Sequence, residues 1–405
     1  MKVIHLNTYN SGGAYRAARR IHQAVNRAGV DSAMLFVQGS SEKDSIAWHW
    51  QEKLPHKLFC RMNNAELKKY DVKSYFSTDR HGFDIADLQK CKEADILHFH
   101  WISDGMISIK SIRKILRSGK KVVWTMHDMC PFTGGCHYSE ECSRYENGCG
   151  CCSVLNSKRD ADLSARIYRD KAAVYSRGEI QPVGCSRWIA ECAGKSGLFR
   201  GFNPIAIPNP IDTDVFDVID KKTARDILNL PLNKKLILFG AIGADSDTRK
   251  GFRELCEALK DMSGDEYICV VFGNGSEISE HIGIDTISLG YINDDFHLKC
   301  IYNAADVFVC PSLYENLANT VMESLSCGTP VAAFDIGGLK DMIDHRVNGY
   351  LAKPYDTKDL AEGIRFCASN DLRDEARKSV ENRFSYDIIG KKYKELYERV
   401  LNNDK

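Results

Sequence analysis

The chain has 405 residues, too many for one ordinary domain and enough for two or three. Lys+Arg and Asp+Glu each total 55, so the formal net charge is zero and no overall field points to nucleic acid as a partner. With 43% hydrophobic and 27% charged residues, the composition is that of a soluble globular protein rather than a disordered or membrane-spanning one.

The start of the chain has an apolar run from Val3 to Leu6 only. That run is far shorter than the about 7–15 apolar residues of a secretion signal, and no stretch approaches the about 20 of a membrane helix. The expectation is a cytoplasmic protein, with peripheral contact at the inner face of a membrane left open. From there the chain repeats strand, loop and helix. Lys2–Leu6 reads as a strand, Ser11-Gly12-Gly13 as a turn, and about Ala14–Ala28 as a helix ended by Gly29. Strands follow at Ser32–Val37, Ala94–Phe99, Lys121–Thr125 and Gln181–Cys185. Pro208 and Pro210 discourage continued helix and suit a linker. A second series has strands at Leu236–Phe239, Tyr267–Phe272, Thr286–Leu289, Val307–Cys310 and Val331–Phe334. Short apolar runs alternating with helices indicate two parallel-sheet α/β domains, residues 1–205 and 206–384. A last helix, from about Tyr386 to Leu401, could pack on either domain, including back on the first.

Ligands of open parallel sheets bind at the carboxyl ends of the strands, so the strand ends are where polar residues carry weight. Glu315 and Glu323 flank the start of a helix after the strand Val307–Cys310. The backbone N–H groups of Leu317, Ala318 and Asn319 lie at that helix start, where the helix dipole favours a phosphate. Thr320 and Glu323 also have the spacing of a capping box, in which Glu323 would only satisfy a backbone donor; from spacing alone both readings stand. Arg249 and Lys250, next to Gly251 and beyond the strand Leu236–Phe239, suit a diphosphate, Arg as a planar fork and Lys as a mobile charge. Gly12 and Gly13 allow close backbone approach to a ligand, or form an ordinary tight turn. No full G-x-G-x-x-G follows the first strand, which weakens a nicotinamide-dependent reading. His127 ends the strand begun at Lys121, as a site residue or a buried, satisfied histidine.

Together these residues resemble the family 4 glycosyltransferases of the GT-B fold, and the resemblance covers nearly the whole chain. It rests on Glu315 with Glu323, on the following Ser324–Val331, on Asp335-Ile336-Gly337-Gly338 and on Arg249-Lys250-Gly251. The stretch from His127 to Cys152 is similar to a subgroup that builds bacterial exopolysaccharide or lipopolysaccharide. The resemblance implies two Rossmann-like domains facing each other across a cleft, and retaining transfer of a sugar from a nucleotide-diphosphate donor to a glycan or lipid-linked glycan. It implies that Glu323 binds the ribose, that Arg249 and Lys250 hold the diphosphate, and that Glu315 with the Leu317–Asn319 backbone holds the donor sugar and its phosphate. Gly12, Gly13 and His127 would approach from the first domain, and Gly290 and Ile292 would lie near the base. No catalytic metal is expected: no Asp-x-Asp pair sits near Arg249 or Glu315 except Asp245-x-Asp247, which in this family is not a metal site. Where the family commonly has Phe-Gly, this chain has Leu317-Ala318, so a donor identity does not carry over. Rival readings are a sugar-nucleotide epimerase of the same fold and a non-catalytic sugar-nucleotide-binding protein.

Most of the sixteen cysteines stand singly in apolar runs and read as small buried hydrophobes. Cys136, Cys142, Cys149 and Cys152 instead punctuate a Gly-rich polar loop after His127. Four thiolates suit a tetrahedral structural Zn²⁺; disulfides, a redox role or free buried thiols are the alternatives.

Overall fold

The computed structural model of the chain describes residues 1–37, 45–47, 53–240, 247–262, 266–273, 282–292 and 294–402. It divides into two compact units, Met1–Pro210 with Ile389–Lys405, and Ile211–Ile388. The division falls at Pro210 rather than at residue 205, because Ile205–Ala206 is still a strand of the first unit.

In the first unit the strands are β1 (Lys2–Leu6), β2 (Asp31–Phe36), β3 (Ser45–Ala47), β4 (Ile96–Phe99), β5 (Lys121–Met126), β6 (Ile180–Gly184) and β7 (Ile205–Ala206). They pair in parallel in the order β3-β2-β1-β4-β5-β6-β7. The second unit has β8 (Lys235–Gly240), β9 (Tyr267–Phe272), β10 (Thr286–Ser288), β11 (Val307–Cys310), β12 (Val331–Phe334) and β13 (Gly349–Ala352), parallel in the order β10-β9-β8-β11-β12-β13. Apart from the added β7, both sheets follow the doubly wound order 3-2-1-4-5-6. The winding reverses between β1 and β4 in one unit and between β8 and β11 in the other, which is where such sheets bind ligands.

Sheets covered by helices on both faces need strands that are apolar throughout. Val3, Ile4 and Leu6 of β1 and Leu236–Phe239 of β8 meet this, each at most 2% exposed. The helices bury one stripe. In Ile109–Arg117 the core-facing residues Ile109, Ile112, Ile115 and Leu116 recur at three- and four-residue spacing. The Ser108 side chain caps its start by accepting from the Ser111 N–H. The first helix begins at Gly12, two residues before the expected Ala14, and runs to Arg27.

The last helix, Tyr386–Asn402, lays Tyr393 and Tyr397 into the core of the first unit. Tyr397 Oη lies 2.7 Å from His98 Nδ1, and Tyr393 Oη 2.9 Å from Thr125 Oγ1. Gly390 lets this helix touch the first one, since a Cβ there would stand 2.2 Å from the Ala24 carbonyl oxygen. Among the described residues no helix is long and apolar enough to cross a membrane.

Candidate functional site

In the second unit the ends of β8, β11 and β12 are tied together at Glu315. Asp247 caps the single-turn helix Thr248–Lys250, and Gly251 then takes φ +70°. A Cβ on Gly251 would lie 1.8 Å from the Pro311 carbonyl oxygen, so only glycine fits where this turn meets the one after β11. The Leu313 N–H donates to the Arg249 carbonyl at 2.7 Å across the same junction. From the other side, Gly338 N–H donates to the Glu315 carbonyl at 3.2 Å, and a Cβ on Gly337 would approach that oxygen to 2.0 Å.

This framework sets the charges. Lys250 Nζ donates to Glu315 Oε2 at 3.0 Å, with Glu315 nearly buried and Lys250 a third exposed. The Glu315 carboxylate raises the Lys250 pKa against the effect of burial, so the ammonium stays charged. Arg249 is held by Asp247 through two bonds, Nε to Oδ1 at 3.0 Å and Nη2 to Oδ2 at 2.6 Å. The Arg249 fork is therefore oriented by its own carboxylate partner, a contact the sequence reading did not include. Asp245 and the rest of the segment 241–246 lie outside the described residues.

The helix after Glu315 spans Asn319–Ser326, with Ala318 at its N-cap and no side chain capping it. Leu317 is buried, while Ala318 and Asn319 are partly exposed at this end. Thr320 is inside the helix rather than at its N-cap, so the capping box with Glu323 is not formed. Glu323 is 2% exposed and its Oε2 accepts from the Tyr302 hydroxyl at 2.9 Å. A carboxylate is acceptor-only when ionised, and burial makes each partner of such a group count. Gly290 and Ile292 follow β10, two strands away from β8 at the far edge of the sheet; Gly290 has φ +67° and accepts from the Gly273 N–H.

In the first unit the switch point gathers a different chemistry. The helix Gly12–Arg27 starts after β1 with Gly12 at φ +84° and Ser11 making no side-chain cap bond. His127 follows β5 and keeps a partly exposed edge. Its Nε2 lies 3.1 Å from His100 Nδ1, and His100 Nε2 lies 3.0 Å from His5 Nδ1. Desolvation pushes the His127 pKa down to about 4 and those of His5, His98 and His100 well below the ordinary value. All four are neutral at neutral pH, and each N···N contact holds a single proton. His5, His98 and His100 have nitrogens within 4.8 Å of one another. They do not form an open ligand set: His98 is taken up by Tyr397 and Thr125, and both His100 nitrogens by other histidines.

Beside His127 lies an aromatic edge. Trp101 stands 5.6 Å from Tyr9 and 6.2 Å from Tyr75, ring to ring, and both tyrosine hydroxyls bond Asp104 Oδ2. Burial and Asp104 raise the pKa of both tyrosines, so they remain donors. Trp101 Nε1–H donates to Asp128 Oδ2 at 2.9 Å, and the same oxygen lies 2.6 Å from His137 Nδ1. Burial works to lower the His137 pKa, but the Asp128 carboxylate outweighs it and the imidazole is held protonated, well above its ordinary value. Its Nε2 reaches Ser77 Oγ at 2.9 Å. Sequence reading missed His5, His100, Trp101, Asp128 and Tyr302; the one visible signal was His98-Phe99-His100-Trp101, two histidines in an otherwise apolar strand run.

The four cysteines of the loop after His127 surround one cavity of about 10 Å³, which Gly134, Arg144 and Ser164 also line. All are free of disulfides.

Residues 220–384 match the family model of the glycosyl transferases group 1. An uncharacterized glycosyltransferase of Methanocaldococcus jannaschii is 29% identical over 356 residues, covering 79% of this chain and 88% of its own. A putative colanic acid biosynthesis glycosyl transferase of Escherichia coli is 23% identical, covering 82% of this chain and 83% of its own. Among solved structures, Anabaena HepE in complex with UDP and glucose superposes with a TM-score of 0.65 at 15% identity, over 98% of this chain and 99% of that one. With two sheets of the same winding, the fold is of the GT-B class.

Proposed function

We propose that the chain is a glycosyltransferase of the group that its residues 220–384 match, and that it moves a sugar from a nucleotide-diphosphate sugar to a hydroxyl of a glycan or lipid-linked glycan, with retention at the anomeric carbon and no catalytic metal. The observation that carries this is the Lys250–Glu315 pair locked beside the uncapped start of helix Asn319–Ser326. The E. coli relative named for colanic acid synthesis, and the UDP and glucose held by the Anabaena protein, support a polysaccharide or glycolipid product and a nucleotide-sugar donor. The proposed setting is the cytoplasm, with the acceptor met at the inner membrane face.

As the bond from C1 of the sugar to the diphosphate breaks, negative charge grows on the leaving phosphate. A fixed cation and a helix N-terminus stabilise that charge without a metal. Lys250 is the cation, and Arg249, oriented by Asp247, is the second. The acceptor oxygen bonds C1 on the face the phosphate leaves, and its proton passes to the leaving phosphate oxygen. Glu315 orients the sugar and Lys250 rather than attacking C1. Glu323 takes the ribose hydroxyls, Leu317, Ala318 and Asn319 the phosphate, and Gly290 and Ile292 the base. In the first unit, Gly12, Gly13 and neutral His127 are the residues we assign to the acceptor.

A thermal-shift screen of UDP, GDP and ADP identifies the donor base, since a ligand of the native state alone stabilises it by mass action. NMR of the product with the matching donor then reads the anomer. An inverted anomer, or transfer lost in brief chelator treatment and restored by Mg²⁺ or Mn²⁺, would overturn the mechanism.

A further inference from the structure

From His127 to Asp162 the chain has no strand and no α-helix, only the single turns Cys130–Phe132 and Arg144–Glu146. Loops of this length without their own core are uncommon and need another source of order. Part of that order is visible. Cys152 N–H donates to Asp162 Oδ2 at 2.9 Å, and buried Lys171 donates to the carbonyls of Cys130 and Thr133 at 2.6 and 3.2 Å. These bonds fix the two ends; the middle, residues 134–152, is tied by the Gly135 carbonyl to Ser77 N–H, by His137 to Asp128 and by Gly150 N–H to Ser164 Oγ, and the four cysteines meet within it.

The backbone there is shaped around sulfur. Gly134 N–H donates to Cys149 Sγ at 3.2 Å, and the backbone N–H groups of Val154 and Leu155 hydrogen-bond Cys152. Burial raises the pKa of both thiols and outweighs these amides, so without a metal the two sulfurs are protonated. Gly148, Cys149, Gly150 and Cys151 all take positive φ, 140°, 59°, 110° and 43°. Such values at two consecutive odd positions that are not glycine mark a turn held against its own preference. It leads into Cys152, and Cys149 and Cys152 line one cavity with Cys136 and Cys142.

We propose that Cys136, Cys142, Cys149 and Cys152 bind one structural Zn²⁺ as a tetrathiolate. Zinc–sulfur bonds of about 2.3 Å place the four sulfurs about 3.8 Å apart. Among the described residues, the group of three or more ligand atoms mutually within 4.8 Å is the histidine set and not these sulfurs. Binding therefore requires the four side chains to rotate inward about their Cα–Cβ bonds. The four thiols give up their protons as the Zn–S bonds form. The same loop carries His137, which holds Asp128 and through it Trp101, so the ion braces the aromatic edge next to His127 without touching the reaction.

The test is metal analysis of the full chain, purified without chelator in reducing buffer. One zinc per chain is expected in the wild type and in Cys256→Ser, a cysteine outside the loop. Cys152→Ser and Cys136→Ser should lose at least nine-tenths of it. Should those variants not fold, wild-type protein grown with Co²⁺ should show the sulfur-to-cobalt charge-transfer and ligand-field bands of a tetrahedral tetrathiolate. Metal-free, folded protein whose four thiols titrate freely would overturn the proposal. So would disulfides among the four by mass spectrometry, or zinc retained in both serine variants.

Discussion

Replacing Lys250 by Met tests the assignment of the leaving-group cation, and the structure sets the size of its effects. At 3.0 Å, and with an effective dielectric near 20, the Lys250–Glu315 attraction is about 5 kcal/mol. The lysine side chain is 34% exposed, so water screens it, while Glu315 at 10% would be left nearly buried without its partner. The net stability loss should fall between that of a surface pair and that of a broken buried pair, about 2 kcal/mol. For a unit of this size that lowers the melting temperature by about 4–8 °C. The catalytic loss is separate: removing a transition-state cation of this kind costs about 2.7–4 kcal/mol, or roughly 100- to 1000-fold in turnover. The double variant Lys250→Met/Glu315→Gln distinguishes the two, because it removes both charges and leaves none stranded. Its melting temperature should return most of the way to wild type while transfer stays depressed. The assay is release of nucleoside diphosphate from the donor, run beside a thermal melt. A double variant that recovers transfer to within tenfold of wild type would refute the role of Lys250 in the reaction.

The remaining predictions address the ribose, the junction and the histidines. Glu323→Gln keeps an acceptor for the Tyr302 hydroxyl, so melting should barely change while nucleoside-diphosphate affinity, measured by calorimetry, falls about ten- to hundred-fold; unchanged affinity would remove Glu323 from the site. Gly251→Ala places a methyl group against the Pro311 backbone at φ +70°, and should cost about 2–4 kcal/mol with loss of hydrogen-exchange protection around Leu313; a neutral result in urea melts would contradict the junction. His5, His98, His100 and His127 have lowered pKa values when folded, so their stabilisation is present above the unfolded value near 6.5 and is lost as pH falls through it. Each adds up to about 1.4 kcal/mol per pH unit, so exchange protection in the first unit should drop steeply between about pH 6.5 and 5. His137 runs the other way, its contribution persisting in acid and lost as pH rises through its raised value. Equal protection of the first unit at both pH values would count against the neutral histidine chain.

Much of the fold was legible because a parallel sheet covered on both faces writes each strand as an apolar run. The strands that escaped notice lack such a run. β3 and β7 are three and two residues long, and β13 is Gly-Tyr-Leu-Ala, too short and too mixed to stand out. Lys250 and Glu315 were each singled out as candidates from their place at a strand end, but nothing in sequence spacing declares a pair 65 residues apart. Thr320 and Glu323 show the reverse error: their spacing fits a capping box, yet the helix starts at Asn319 and the motif falls one turn position too late. The chain of His5, His100 and His127 was invisible because a buried histidine in a strand looks like any polar interruption until its partners come from other strands. Trp101 and Asp128 were missed for the same reason, each acquiring meaning only through the other.

The last helix also fixes an order of events during biosynthesis. Tyr397 meets His98 across 299 residues of chain, so the hydroxyl that His98 requires is made long after it. Domains generally fold as they leave the ribosome, and the second unit, contiguous from Ile211 to Ile388, is free to do so. The first unit, although synthesised earlier, must wait with the buried seat of Tyr393 and Tyr397 open until residues Tyr386–Asn402 emerge. The nascent protein therefore carries a folded second half ahead of an unfinished first half. A ribosome stalled before Tyr386 would present chaperones and proteases with the unit that bears His127 still incomplete.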